Sequence, residues 1–599
     1  MPFRRVRAVV VAALLVILTA VPRPAHARPA SAPARPALRI ATSGFVDSFN
    51  PFTSIYLLPT STFRYMYENL VAYDQTDGSP TTGLADRWTT AEDGRTWTFR
   101  LQDGLTWSDG KPITAEDVVW TYTQMMTNTQ MGQANGSLVA NFSKVTAPDE
   151  HTVIIILKKP QAPNPGVEIP VVPKHVWSKI KEPWKYPNSS NAVGSGPYIL
   201  DSYRANQRIT FRANPHYWRG APKISGLQYI YYTNSDAQVQ ALKSGDVDFV
   251  TGLSASQFDA LSRVKGVTVH AGTGRRYTAV VLNSGVRTVT GKPFGAGNPA
   301  LKDVNVRRAI RQAIDIKTLT NKVLDGQATP ATSFIPDAFP KWSLPTDDPV
   351  LAKFDPAAAR KTLDDAGWQV GTDGVRVKDG KKLALRLMVD STDSSQQSAA
   401  EYLRPWLRNV GIAVSIDATD SDSISTRSTS GDYDMYFSGW SINPDPDYQL
   451  SINTCATRPT HPDGSGGTSQ DGWCSREFDK LYQQQRDETD PTKRQTIVRT
   501  MLERNYQDAS QVTLWYAKSL EAYRSDRFSG FGLQPKDGGI IAKQVGYWGF
   551  LDVAPAGART ATNGTPMTGL AVTGELFVAL VVVGIAVHLV HRRNREEVA

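Results

Sequence analysis

Side chains able to act as nucleophile, base or metal ligand are plentiful in the 599-residue chain, yet few are spaced for joint work. A nucleophile elbow needs Gly-x-Ser-x-Gly, and a zinc protease needs His-Glu-x-x-His; neither pattern occurs. Ser178 with Lys181, and Ser262 with Lys265, match Ser-x-x-Lys, a pattern short enough to arise by chance. The eight histidines are scattered, and the one close pair, His588 and His591, flanks the C-terminal tail. Gly194-Ser195-Gly196-Pro197 has the glycines of a phosphate loop but no following Gly-Lys-Ser/Thr. Carboxylates are abundant, so spacing alone does not exclude an acid–base pair. The expectation is a binding protein, not an enzyme, with no cofactor and no resident metal.

Two cysteines, Cys455 and Cys474, remain. In an exported chain they are expected to pair; closing such a loop is worth about 3 kcal/mol in the chain-entropy treatment. Metal binding is the rival, but His461 alone does not complete a tetrahedral set.

Export is read from the N-terminus. Arg4, Arg5 and Arg7 precede the apolar run Ala8–Ala20, and Ala25-His26-Ala27 is a small-x-small cleavage site ending at Ala27. Residues 28–36 form a Pro/Ala linker. At the other end, residues 552–569 read as an Ala/Pro/Gly/Thr tether. Leu570-Ala571-Val572-Thr573-Gly574 follows, then an apolar run to Val590 and a tail with Arg592, Arg593 and Arg595. This ending resembles the Leu-Ala-x-Thr-Gly signal of class E actinobacterial sortases, which implies cleavage between Thr573 and Gly574 and transfer to peptidoglycan. A retained transmembrane anchor with a basic inner end is the alternative. Either places the protein on the outer face of a Gram-positive, actinobacterial-type cell.

The body is long enough for two or more lobes. Its composition, 40% hydrophobic and 21% charged, is that of a soluble protein. The formal charge of +9 includes four arginines of the segment expected to be removed, and no long Lys/Arg run remains, so nucleic acid is not an expected partner. Fourteen Trp and 22 Tyr suit both a core and the walls of a cleft.

Leu84–Met126 carries the clearest pattern. Trp97, Phe99 and Leu101 alternate with polar residues, predicting a strand with one wet face. Turns at Gln102-Asp103-Gly104 and Ser108–Pro112 follow, then a helix opened by Thr114-Ala115-Glu116-Asp117, with Val118, Val119, Tyr122 and Met126 inward. Further along, Ala37–Ser43, Thr152–Leu157, Arg208–Arg212, Tyr229–Tyr232, Asp246–Val250 and Ala279–Asn283 read as strands. Ser235–Gly245, Val304–Lys317, Asp355–Gly367 and Ser395–Val410 read as helices, with strands at Leu383–Val389 and Ile412–Ile416. This strand–helix–strand rhythm predicts an α/β second lobe.

The segments LADRW, EDG-x-T-W-T-F-x-L and WSDGKPITAEDVVWTY, then GSGPYILDSY…RITFRANPHYWRGAPK and FDPAAARKTLDDAGW, resemble the bacterial family 5 extracellular solute-binding proteins. The resemblance implies a two-lobed, periplasmic-binding-protein-like α/β fold with an extra subdomain in the first lobe. It places the first lobe at residues 37–282 (subdomain about 60–190), the second at 283–510, and a return to the first at 511–551. It implies a monomer that captures an oligopeptide or similar small solute for an ABC permease; a surface peptide receptor for signalling is the alternative. The ligand-contacting positions it implies are Ser43 and Phe45, after the first strand, and Gly439, Trp440, Asn443 and Asp445, in DMYFSGWSINPDPD. Peptide-binding relatives hold the ligand's α-amino group with an Asp three residues past the Gly-Trp tryptophan. Here that position is Asn443, which brings no charge; Asp445 substitutes if the Pro444 turn aims it inward. The loop Val389–Ser394 has acids and hydroxyls where dipeptide binders place an Arg, so a plain dipeptide site is not expected.

Overall fold

A computed structural model describes residues 35–469 and 471–557. Both the expected signal segment with Ala27 and the sorting motif with Thr573 and Gly574 lie outside these residues. Among the described residues no helix is long and apolar enough to cross a membrane.

The first lobe is built on a seven-stranded sheet in the order 267–272, 519–524, 249–251, 38–42, 226–231, 208–213 and 198–204. Leu38–Thr42 is the central strand. It runs parallel to Gly226–Tyr231 and Phe249–Thr251, so both its edges are hydrogen-bonded. Leu38 and Ile40 are buried, as a central strand requires. The helix Ser235–Ser244 connects two of these strands. Asn234 caps it by accepting from the Ala237 N–H at 2.9 Å, and Gly245 ends it at φ +82°.

The extra subdomain is a four-stranded antiparallel sheet, 85–90, 96–101, 152–157 and 142–149. Trp97, Phe99 and Leu101 are buried as their alternation predicts. Helix Ala115–Thr127 packs against it, and the Thr114 N–H donates to Asp117 Oδ2 at 3.0 Å. Its inward face is Val118, Thr121, Tyr122 and Met125. Val119 and Met126 lie half-buried at its margin, because a polar Thr takes the position facing Val172.

The second lobe has a six-stranded sheet, order 328–330, 511–517, 277–282, 435–438, 384–390 and 413–419. Ser394–Asn409 links the parallel pair 384–390 and 413–419, a βαβ unit. The single helix expected over Val304–Lys317 is two, Val304–Gln312 and Ile316–Lys322. Asp315 starts the second by accepting from Thr318 N–H at 3.0 Å, an alternative that breaks the first.

The chain crosses between sheets at 272–277 and at 517–519. Tyr277–Leu282 and Gln511–Ala517 therefore both belong to the second lobe, unlike the expected junctions at 282/283 and 510/511. Antiparallel pairing of these two strands explains the shift: each is hydrogen-bonded into the six-stranded sheet before its chain leaves it. At the C-terminal end, Val553 is fully buried and Ala554–Pro555 pairs with Phe528–Ser529. The expected tether thus begins later than residue 552. The expected linker also ends earlier than residue 36, since Arg35 donates to the Pro222 carbonyl and Pro36 accepts from Ser225.

Candidate functional site

The loop after strand Met435–Ser438 faces the first lobe. Gly439 is required there by close approach: a Cβ would lie 1.9 Å from the Tyr277 carbonyl oxygen. The carbonyl of Trp440 accepts from the Tyr277 N–H at 3.2 Å. Its indole is half-buried beside a cluster that includes Tyr277 and Phe334, and its Nε1–H is enclosed without a hydrogen-bond partner. An enclosed donor left unpaired costs free energy, so this indole is poised for an acceptor.

Asn443 spans the lobes. Its Nδ2 donates to Glu168 Oε2 at 3.0 Å, and its Oδ1 lies 3.5 Å from Arg275 Nη1. Glu168 sits on the subdomain at φ +68°, where its other oxygen accepts from the Tyr73 hydroxyl at 2.5 Å. Arg275 donates to the Ile442 carbonyl at 2.7 Å and to the Lys543 carbonyl at 2.8 Å, so it brackets the second-lobe loop and the first-lobe return segment. Its Nε is enclosed and unpaired. Burial pushes Glu168 above the usual carboxylate range. Burial, and then the Arg64 charge, pulls Arg275 down, with Glu168 opposing.

Asp445 is not the free acid that would hold an ammonium group. Arg494 grips it bidentately at 2.6 and 2.7 Å, and the same guanidinium donates from Nε to Gln485 at 3.0 Å. Such a pair leaves no net charge for a ligand. The expected substitution of Asp445 for the missing anchor is therefore corrected: an arginine 49 residues further along has taken it.

Three cavities lie along this face. One of about 420 Å³ has walls from the subdomain (Tyr73, Trp88, Trp97) and from the second lobe (Phe339, Trp342, Asp445). One of about 310 Å³ adjoins it between Glu168 and Tyr448. A third, about 260 Å³, is walled by the first lobe and includes Ser43 and Phe45. The predicted contact residues thus fall into two groups. Ser43 and Phe45 line the third cavity, Asp445 lines the first two, and Gly439, Trp440 and Asn443 form the loop between. Arg275 joins the groups through Lys543.

The lobes are in contact. Ala162 N–H donates to the Arg486 carbonyl at 2.5 Å, and a Cβ on Gly78 would lie 2.9 Å from the Pro444 ring. The arrangement is a closed one. Reasoning from sequence missed Glu168, Arg275 and Lys543. The tandem Arg275-Arg276 just before a predicted crossing strand was a signal; Glu168, inside a proline-rich stretch, gave none.

Two α/β lobes joined by crossing strands, closed over cavities lined from both sides, define a ligand-enclosing binding protein. The sequence pattern of "Bacterial extracellular solute-binding proteins, family 5 Middle" matches residues 79–460, and the chain belongs to that family. Protein XP55 of Streptomyces lividans is 31% identical over 342 residues, 56% of this chain and 58% of that protein, so the match spans under two thirds of the relative's own length. The nickel-binding periplasmic protein of Escherichia coli is 27% identical over 461 residues, 75% of this chain and 83% of that one. Among solved structures, the ABC transporter substrate-binding protein CtaP from Listeria monocytogenes superposes with a TM-score of 0.71 at 23% identity, covering 83% of this chain and 95% of that one. The oligopeptide-binding protein AppA from Bacillus subtilis, in complex with a nonapeptide, gives 0.68 at 20%, covering 88% and 100%. At these identities the structures establish the shared fold.

Proposed function

We propose that this protein is the extracellular solute-capturing component of an ABC importer and encloses a peptide, or a similar small solute, between its lobes without altering it. The observation that carries this reading is the interlobe constellation of Trp440, Asn443, Arg275 and Glu168, flanked by cavities and holding enclosed donors with no partner. Shape change on closure is what a membrane permease reads. A bare metal ion has weaker support, because no group of three or more His, Cys, Asp or Glu among the described residues is placed to hold one. The protein acts as a monomer, exported by its N-terminal signal. The LAVTG-containing tail tethers it to peptidoglycan through a sortase.

The test is uptake of isotope-labelled oligopeptides by cells with and without the gene. Loss of uptake on deletion, restored by the wild-type chain and not by Trp440→Ala, is the expected result. Unchanged uptake with loss of a transcriptional response to the peptide would favour the sensory alternative. Shortening of the peptide by the purified chain would show an enzyme.

A further inference from the structure

The third cavity, unlike the other two, is walled from one lobe only. Its volume of about 260 Å³ is below the ~300–1,000 Å³ of a site for a whole drug-sized ligand, and suits one residue of a longer ligand. Phe45, Tyr56, Leu57 and Phe550 give it an apolar and aromatic wall, with Ser43 and Gln238 among the polar groups that complete the lining. Phe45 and Leu57 are each 61% exposed and Tyr56 46%, and the rings of Phe45 and Tyr56 meet edge-on at 4.7 Å. Exposed apolar side chains gathered at one mouth mark a binding surface, whereas single ones scattered elsewhere would not.

One cation stands in this apolar wall. The Lys543 ammonium is accessible and makes no hydrogen bond or ion pair among the described residues, although its own carbonyl is held by Arg275. Its backbone lies at φ +56°, a conformation the surrounding segment imposes on it. The nearest acid, Glu521, does not satisfy it. Both oxygens of Glu521 accept backbone N–H groups, from Ile541 and Ala542, at 2.8 Å. Enough protein surrounds Lys543 that desolvation lowers its pKa, with Glu521 opposing. Arg275, which holds the Lys543 carbonyl, stands with Arg64 against Glu168 outside this cavity, and Asp445 is held by Arg494. Lys543 is the one charged residue of this lining, so the cavity offers a positive charge to an anion.

We infer that this cavity is a subsite for the C-terminal residue of a bound peptide, with an apolar or aromatic side chain against Phe45, Tyr56 and Leu57 and the free carboxylate on Lys543. The inference rests on the solute-binding reading above and names the ligand class for it.

The experiment is calorimetric titration of the full exported chain with Ala-Ala-Ala-Phe as the free acid and as the C-terminal amide, and with Ala-Ala-Ala-Ser as the free acid. A charge-assisted hydrogen bond in a sheltered site predicts that the Phe acid binds about tenfold to a hundredfold more tightly than its amide. The Ser acid binds more weakly than the Phe acid. Lys543→Met removes the acid–amide difference, and Lys543→Arg keeps it. Equal binding of acid and amide by the wild-type chain, or a difference that survives Lys543→Met, overturns the subsite while leaving solute capture intact. Failure of every tetrapeptide to bind overturns both the subsite and the peptide reading. The wild-type acid–amide comparison needs no variant, so misfolding of Lys543→Met does not protect the inference.

Discussion

The side-chain amide of Asn443 donates to Glu168 Oε2 at 3.0 Å and so fastens the second-lobe loop to the first-lobe subdomain. A carboxylate at position 443 would instead face another carboxylate across the closed cleft. Asn443→Asp is expected to open the ligand-free protein at pH 8 and to let it close again at pH 5. Two acids sharing one site repel only when both are ionised, and a single shared proton relieves them. Burial already raises Glu168, so it is the acid that takes that proton. Arg64, Arg275 and the Tyr73 hydroxyl also act on Glu168 and reduce the repulsion, while the Asp445 carboxylate, itself held by Arg494, adds to it. The radius of gyration from small-angle scattering at the two pH values checks this; a radius independent of pH would show that the latch does not set closure.

Trp440→Ala should weaken ligand binding about tenfold or more while moving the thermal midpoint of the ligand-free chain little. The indole is half-buried, its Nε1–H is unpaired, and the fold's grip at this point is on the backbone carbonyl, which the variant keeps. Large aromatic side chains in a closing site carry much of the binding energy. Titration calorimetry and a melting curve read the two effects separately.

Stability should fall as pH rises from about 4.5 to about 7. Glu68 and Glu521 are buried carboxyls whose pKa values are pushed up to about 7, chiefly by desolvation. Each binds a proton more tightly in the folded than in the unfolded chain. Their contribution is therefore fully present below the unfolded value and lost as pH passes through the folded one. For Glu68, with Tyr217 donating to Oε1 at 2.7 Å and Oε2 unpaired, the loss is about 3 kcal/mol. Glu68→Gln should flatten the dependence of denaturation midpoint on pH in that window, since Tyr217 keeps its acceptor.

Cys455 and Cys474 are bonded, closing a loop over a sequence separation of 19. Reduction should cost about 3 kcal/mol by the loss of that constraint on the unfolded chain. A lower urea midpoint with reductant than without it checks this, any rise in m-value reporting the released unfolded chain.

Much of the frame was legible because it follows from periodicity. Trp97, Phe99 and Leu101 alternate and are buried; Asp355 and Gly367 bracket the helix between them, Gly367 at φ +84°. Gly439-Trp440 was recognisable as a strand end. The interlobe chemistry was not, because its partners are far apart in the chain. Glu168 meets Asn443 across 275 positions, and Asp445 meets Arg494 across 49. No local pattern distinguishes an acid awaiting a ligand from one already matched with an arginine. Lobe junctions shifted for a related reason: strand pairing, a non-local property, decides which sheet a crossing segment joins.

The native mass spectrum of the exported chain, taken after incubation with a mixture of short peptides and removal of the excess, tests the two-lobed capture reading most directly. The expected spectrum shows one peptide per chain, each at its full mass. A chain that carries no peptide, or one that returns the peptides shortened, would contradict it.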